Sequence, residues 1–397
     1  MVEGADEDPV AVAAGVQALL HELASGPRPA GSAAEERART VCATWLTSRG
    51  YSVAEEPFGF SALPGRWGTP LMGVLSLVLL GAVIARGAGG RPLDGVLLLA
   101  GAGLVLAAAG SWVSRRGILS LPLVRCRSVN LVATRGGRPP LVWLMAHLDS
   151  KSQPVPIAVR AAGVIGTLTT WVVTGSLLVA GAAGLGFATE LWWVLLAAGA
   201  ASAIPVVAST VGDRSNGALD NASGVAAVLG AAALLPTGSA ESVGVVITSA
   251  EELGLAGARA WSAGRAPAVA INCDSVDDGG EIVVMYSGRR PGELLGRLTD
   301  AAEPGDPVRV RRLVPGILAD HVALTEAGWS AVTVSRGSVR TLHRIHTRSD
   351  NLAHLRGDGL MQLSRLLARA AARLTVGVNR AVSGSDRNAG HGVGGME

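Results

Sequence analysis

Four stretches of this chain run without a charge for long enough to cross a bilayer, and they come in two close pairs. They lie between Arg66 and Arg86, Asp94 and Arg115, Arg160 and Glu190, and Glu190 and Asp213. Counted between those charges they hold 19, 20, 29 and 22 residues, against the roughly 20 that a helix needs to span hydrocarbon. One such helix is ordinary in a soluble core, but four in two pairs are hard to bury in a domain this size. Trp67, Trp112, Trp192 and Trp193 sit near the ends, where amphipathic rings favour the membrane interface. Only 16% of the residues are charged and 49% are hydrophobic, which fits an integral, multi-pass membrane protein in contact with a lipid bilayer.

Short connections make each pair a helical hairpin, the first over 66–115 and the second over 157–212. A hairpin returns the chain to the side it left, so all remaining polar sequence shares one face. Arg66, Arg115, Arg116, Lys151, Arg160 and Arg214 border the membrane on that face and Arg86 and Arg91 on the other, which places the polar domain in the cytoplasm. The segments carry almost no charge that would mark a transport pathway. The acidic N-terminus lacks the pattern of a signal peptide, and the polar, Gly-rich stretch 377–397 reads as a disordered tail. Cys42, Cys126 and Cys273 are too scattered for a disulfide framework or a thiolate zinc site. A net charge of +3 with no basic stripe excludes nucleic acid as a partner.

With the hairpins removed, 1–65, 116–156 and 213–376 remain as one domain in which strand and helix patterns alternate. Ala33 to Gly50 reads as a helix, with Ala38, Val41, Cys42, Trp45 and Leu46 at helical spacing. Apolar, β-branched runs follow at 128–134, 141–147, 243–248, 268–273, 282–286 and 331–335, several continuous enough to be covered on both faces. Helical patterns occupy 223–235, 292–302, 321–327 and 351–375. The expected fold is a three-layer α/β/α domain with a parallel or mixed sheet, whose chemistry collects beyond the carboxyl ends of the strands.

Polar residues cluster at those ends. LVWLMAHLDS closes on His147 and Asp149, GALDNASGVA carries Asp220, VGVVITSAEELGLAGA carries Glu251 and Glu252, AVAINCDSV carries Asp274, and LHRIHTRSDN carries His346. Carboxylates mixed with imidazoles suit a zinc-class divalent ion. Two histidines and three carboxylates are too many for one open catalytic zinc, but suit two ions sharing a bridging carboxylate. One carboxylate must stay free as a general base, and the adjacent Glu251 and Glu252 allow that division.

The order H-x-D, D-N-x-S-G, E-E-x-G-L-x-G, a strand-end Asp and H-T-x-x-D resembles metallopeptidase family 28, which contains the co-catalytic zinc aminopeptidases. GPRPAGSAAEERARTVCATWLTSRGYSV is similar to the family's N-terminal helix, and ADHVALTEAGWSAVTV to its late D-H segment. The resemblance covers most of the chain outside the hairpins. It implies a peptidase, an aminopeptidase in particular, with one zinc on His147 and Asp274, another on Glu252 and His346, and Asp220 bridging them. It further implies that Glu251 is the base and that Asp149 orients His147 through the other ring nitrogen.

Other readings compete at several positions. His343 rivals His346, but only His346 precedes Thr347 and has Asp350 four residues on. Asp320 and His321 either line the cleft, or Asp320 caps the following helix. Ser223 and Gly224 read as packing and turn residues, since no G-x-S-x-G elbow marks a serine hydrolase. Tyr286 reads as an oxyanion donor or a wall residue, and His21, His354 and His391 as surface residues. HLDSK resembles the single-zinc glutaminyl-cyclase branch, an aminoacyltransferase alternative. An inactive scaffold of the same fold is another, though none of the five ligands is eroded. The hairpins depart from the family: 73 positions separate His147 from Asp220. Only seven link Asp213 to Asp220, at most about 25 Å of chain, so the bridging ligand is expected near the membrane and the peptide substrate to be one held there.

Overall fold

The structure, a computed structural model, describes residues 8–314 and 316–389. Its elements are, in order, α1 (Pro9–Leu23), α2 (Ala33–Thr47), β1 (Ser52–Ser61), α3 (Leu63–Ala88), α4 (Pro92–Trp112), α5 (Ile118–Ser120), β2 (Arg125–Thr134), β3 (Val142–His147), α6 (Ile157–Ala182) and α7 (Thr189–Val207). The turn Ala218–Ala222 then leads into α8 (Ser223–Leu234), α9 (Thr237–Ala240), β4 (Val243–Thr248), α10 (Ala256–Ser262), β5 (Val269–Val276), β6 (Glu281–Tyr286), α11 (Gly292–Ala301), β7 (Val308–Arg312), α12 (Asp320–Glu326), β8 (Ser330–Gly337), α13 (Val339–Arg344) and α14 (Leu360–Ala389). They fall into two compact units, one of residues 1–59, 127–151 and 213–397, the other of 60–126 and 152–212.

The first unit is a mixed α/β domain. Its eight-stranded sheet has the order β1-β2-β4-β3-β5-β8-β6-β7 among the described residues. The central strands β4, β3, β5 and β8 are parallel, while β2 and β6 join them antiparallel. VWLMAH of β3 and VGVVIT of β4 are buried throughout, as strands covered on both faces must be. One face carries Trp143, Met145, Val246, Ala270 and Ala331 against Trp261 of α10 and Ala323 and Leu324 of α12. Trp143 and Trp261 meet edge-on at 4.9 Å between ring centres, a geometry that adds about 0.5–1.5 kcal/mol beyond area burial. On the other face α8 and α14 pack against β3 and β5. His147 stands beside Thr248 in register, so β3 and β4 deliver their last residues to one edge of the domain.

Two strands went unread in the sequence. β1 holds Pro57, and β7 is VRVRR with its arginines exposed. Both lie at sheet edges, where one side needs no apolar cover. The last helix starts at Leu360 rather than Asn351, because the Asp278 carboxylate holds the preceding loop through the N–H groups of Arg356, Gly357 and Asp358 at 2.7–2.9 Å. It continues to Ala389, into the stretch expected to be a tail; 390–397 lie outside the described residues, and His391 with them.

The second unit contains four helices long and apolar enough to cross a membrane: Leu63–Ala88, Pro92–Ser120, Ile157–Ala182 and Thr189–Val207. Its core joins Leu80, Val83 and Ile84 of α3 to Leu178 of α6 and Trp192 and Leu195 of α7. Trp171 donates its indole N–H to Ser76 Oγ at 2.7 Å, which pairs two polar groups that hydrocarbon would leave unsatisfied.

Candidate metal centre

His147 ends β3, and its Nδ1 lies 3.1 Å from the Asp149 carbonyl oxygen. That acceptor places the ring proton on Nδ1 and leaves the Nε2 lone pair facing the cluster. The Asp149 carboxylate is 3.6 Å from Nδ1, too long for a hydrogen bond, so the orienting contact is made by the backbone rather than the side chain. The carboxylate instead accepts the N–H of Glu251 at 3.1 Å and of Glu252 at 3.2 Å. It fixes the loop that carries both glutamates.

Asp220 sits in the turn before α8. Its Oδ1 is 3.1 Å from His147 Nε2 and its Oδ2 is 3.0 Å from His346 Nε2. Several contacts hold this turn. Asn221 donates to Cys273 O and accepts from the N–H groups of Gly224 and Ser275. Ser223 donates to Leu219 O and accepts from Val276 N, a packing role as its sequence context suggested. A Cβ on Gly224 would stand 2.5 Å from Cys273 O, so glycine lets α8 start hard against β5. Gly217, at φ +57°, makes the bend that precedes the ligand.

Two groups of donors converge: His147, Asp220 and Asp274, and Asp220, Glu252 and His346, each with its ligand atoms within 4.8 Å of one another. Asp220 belongs to both. His147 Nε2 lies 3.8 Å from Asp274 Oδ1, and His346 Nε2 lies 3.1 Å from Glu252 Oε1. That Oε1 is buried yet makes no hydrogen bond. A buried carboxylate oxygen left without a hydrogen bond is costly, and the donors fit divalent zinc-class ions in both type and convergence. The backbone is left-handed at Ala250, Ser275 and His346, with φ of 55°, 64° and 62°. Each such residue costs on the order of 1–3 kcal/mol and persists where its surroundings enforce it.

The electrostatics follow from burial and crowding. Burial pushes the Glu251 carboxyl well above its usual range, as do the charges of Glu252, Asp320 and Asp274, against the pull of His147. Glu251 Oε2 lies 4.0 Å from His147 Nε2. Glu252 is held down at about 2: burial opposes ionisation, but His346 and Lys151 outweigh it. Burial likewise opposes protonation of His147, and the carboxylates of Glu251, Asp149, Asp220 and Asp274 reverse the balance.

The roles of several members of the site escaped the sequence, Asp350 among them although it closes the H-T-x-x-D motif. Lys151 Nζ pairs with Glu252 Oε2 at 2.5 Å. Asp350 accepts the N–H groups of Leu219 and Asp220 at 2.5 and 3.2 Å. Arg28 is buried and donates to the carbonyls of Leu148, Asn216 and Gly217 at 3.0, 2.7 and 2.9 Å. It ties the loop after His147 to the loop before Asp220, and its place in GPRPAGS was the available signal. Asp320 is no N-cap: Ala319 occupies that position, and the Asp320 carboxylate accepts from Thr248 Oγ1 and is pushed by burial to about 7. His321 is buried with Nδ1 2.6 Å from Thr333 Oγ1, whereas His343, His21 and His354 are exposed and outside the cluster.

The α/β unit thus gathers two groups of carboxylates and imidazoles that could hold divalent ions. The model of peptidase family M28 matches residues 194–371. Solved structures with this fold include an aminopeptidase from Aneurinibacillus sp. strain AM-1 (TM-score 0.53, 14% identity, 91% of this chain and 93% of that one). A zinc aminopeptidase from Bacillus subtilis gives TM-score 0.51 and 16% identity over 91% and 94% of the chains. A leucine aminopeptidase precursor from Bacteroides thetaiotaomicron VPI-5482 gives 0.51 and 14% over 94% and 99%. Identities this low establish the fold alone. No curated protein matches the chain. Residues 194–371 are thus similar to peptidase family M28, and the chain carries four long apolar helices beside the α/β unit.

Proposed function

We propose that this chain is a membrane-bound, di-zinc aminopeptidase acting on peptides presented at the bilayer. The observation that carries the two-ion reading is Asp220, whose two oxygens reach one histidine each at 3.1 and 3.0 Å. His147 and Asp274 would hold one ion and Glu252 and His346 the other. Bound zinc would supply Lewis acidity, lowering the pKa of a water and drawing charge from a carbonyl. Glu251, buried beside the cluster with its carboxyl raised, accepts the proton of the attacking water and returns it to the leaving amine. A carboxylate 4.0 Å from His147 Nε2 is placed for both transfers. Asp149 keeps Glu251 and Glu252 in place through their backbone N–H groups, and Asp350 does the same for Asp220.

The membrane part of the proposal rests on the four apolar helices and on chain order. The first unit is left at Lys151, two residues after Asp149, and re-entered at Asp213, seven before Asp220. A substrate confined to the same bilayer would gain effective concentration. The test is hydrolysis of amino-acid amides and of a peptide with and without an N-distal acyl chain, by protein in liposomes. Activity abolished by a chelator and restored by zinc, with the acylated peptide favoured after correction for partitioning, is the expected result. Chelator-insensitive turnover would refute the metallopeptidase reading, and equal kcat/KM for the two peptides would refute the membrane-held substrate.

A further inference from the structure

The two donor groups share Asp220 but differ in how their terminal carboxylates are neutralised. Asp274 receives a neutral donor: Ser275 Oγ gives a hydrogen bond to Asp274 Oδ1 at 3.0 Å. Glu252 receives a full positive charge, with Lys151 Nζ 2.5 Å from its Oε2. The pair is secluded, the Lys151 side chain being 17% exposed and that of Glu252 4%, so water screens it little. Its other oxygen, Oε1, is the one turned toward His346 at 3.1 Å. Lys151 therefore occupies one lone-pair edge of a metal-facing carboxylate and leaves a single oxygen for an ion.

We propose that Lys151 makes the two ion subsites unequal, so that zinc loads first at His147–Asp220–Asp274 and binds second, more weakly, at Asp220–Glu252–His346. An ammonium beside Glu252 cancels much of the charge that would attract a dication there. It also keeps the carboxylate from chelating through both oxygens. The subsite on Asp274 faces no such cation: Ser275 gives its carboxylate only a neutral hydrogen bond. The lysine is a positioning and charge-setting residue in this account, acting through Glu252 and touching no substrate. This proposal rests on the two-ion reading given above.

The experiment is stepwise zinc binding to the full-length, detergent-purified protein, measured by competition with a chromophoric chelator, for wild type, Lys151→Gln and Lys151→Met. Glutamine keeps a hydrogen-bond donor for Glu252 and removes the charge, and methionine removes both. Wild type is expected to show two steps. In Lys151→Gln the second step should tighten about 10-fold, the order expected for removing one like charge a few ångströms from a dication, while the first stays unchanged. Lys151→Met should shift the second step in the same direction. Two steps in wild type with the second unchanged or weakened in Lys151→Gln would overturn the role of Lys151 alone. A single step taking up one zinc per chain would overturn the two-ion reading on which it stands, and a single step taking up two would overturn the inequality of the subsites. A circular dichroism spectrum matching wild type separates either result from misfolding.

Discussion

Asp350 accepts the backbone N–H of Asp220 at 3.2 Å through Oδ2, while its Oδ1 takes that of Leu219. The carboxylate proposed to bridge two ions is thus aimed by a second one that touches no ligand atom of the cluster. Burial and the nearby Asp220 charge push Asp350 up to about 7, the cost of placing a carboxyl there. Its replacement by Ala should weaken zinc binding by about 10–100-fold, as other losses of ligand support do. Chelator competition measures this, and affinity equal to wild type would remove Asp350 from the site.

Glu251→Gln should retain zinc and lose turnover by about 10²–10⁴-fold, since an amide cannot take the water's proton. Glu252→Gln should lose zinc as well, because it offers the oxygen that faces His346. Metal content and amide hydrolysis measured on the same preparations separate the two roles. Comparable turnover in Glu251→Gln and wild type would contradict the assignment.

How much of this was legible depends on what each residue does. The five proposed ligands stand in ordered motifs, His147 and Asp274 in strands, Glu252 after one, Asp220 before α8 and His346 after α13, and local sequence exposes such positions. His346 could be chosen over His343 because Thr347 and Asp350 follow it. The residues that hold the ligands left fainter traces. Lys151 meets Glu252 across about a hundred positions of sequence, and Arg28 reaches Asn216 and Gly217 across nearly two hundred. Contacts of that range leave no periodicity to read. β1 and β7 were missed for a different reason, since edge strands need not alternate with an apolar face. Asp149 shows the limit within a motif: its carboxylate holds the two glutamates, while its carbonyl receives the histidine.

Zinc removal should destabilise the protein beyond abolishing activity. Ions present at about 1,000 times Kd contribute roughly 4 kcal/mol to the folded state, worth on the order of 10 °C in melting temperature for a domain of this size. The buried carboxylates also repel one another when no cation offsets them. Thermal melts with and without a chelator test this, and coincident curves would show that zinc does not stabilise the fold.

The first hairpin makes a topological claim. Arg91, in the turn between α3 and α4, and Leu123, after α5, are both exposed. If α3 and α4 each span the bilayer, Arg91→Cys and Leu123→Cys should show opposite accessibility to an impermeant thiol reagent in oriented vesicles. Cys126 is replaced by Ser in that background. Equal labelling of the two would mean that the hairpin does not cross.

The most direct measurement of the central claim is zinc stoichiometry, by elemental analysis of protein purified without chelator, for wild type and Asp220→Ala. Wild type should approach two ions per chain, and Asp220→Ala should fall well below one, because both donor groups lose their shared carboxylate. Wild type without bound zinc-class metal, or Asp220→Ala retaining the wild-type content, would contradict a dinuclear centre built on Asp220.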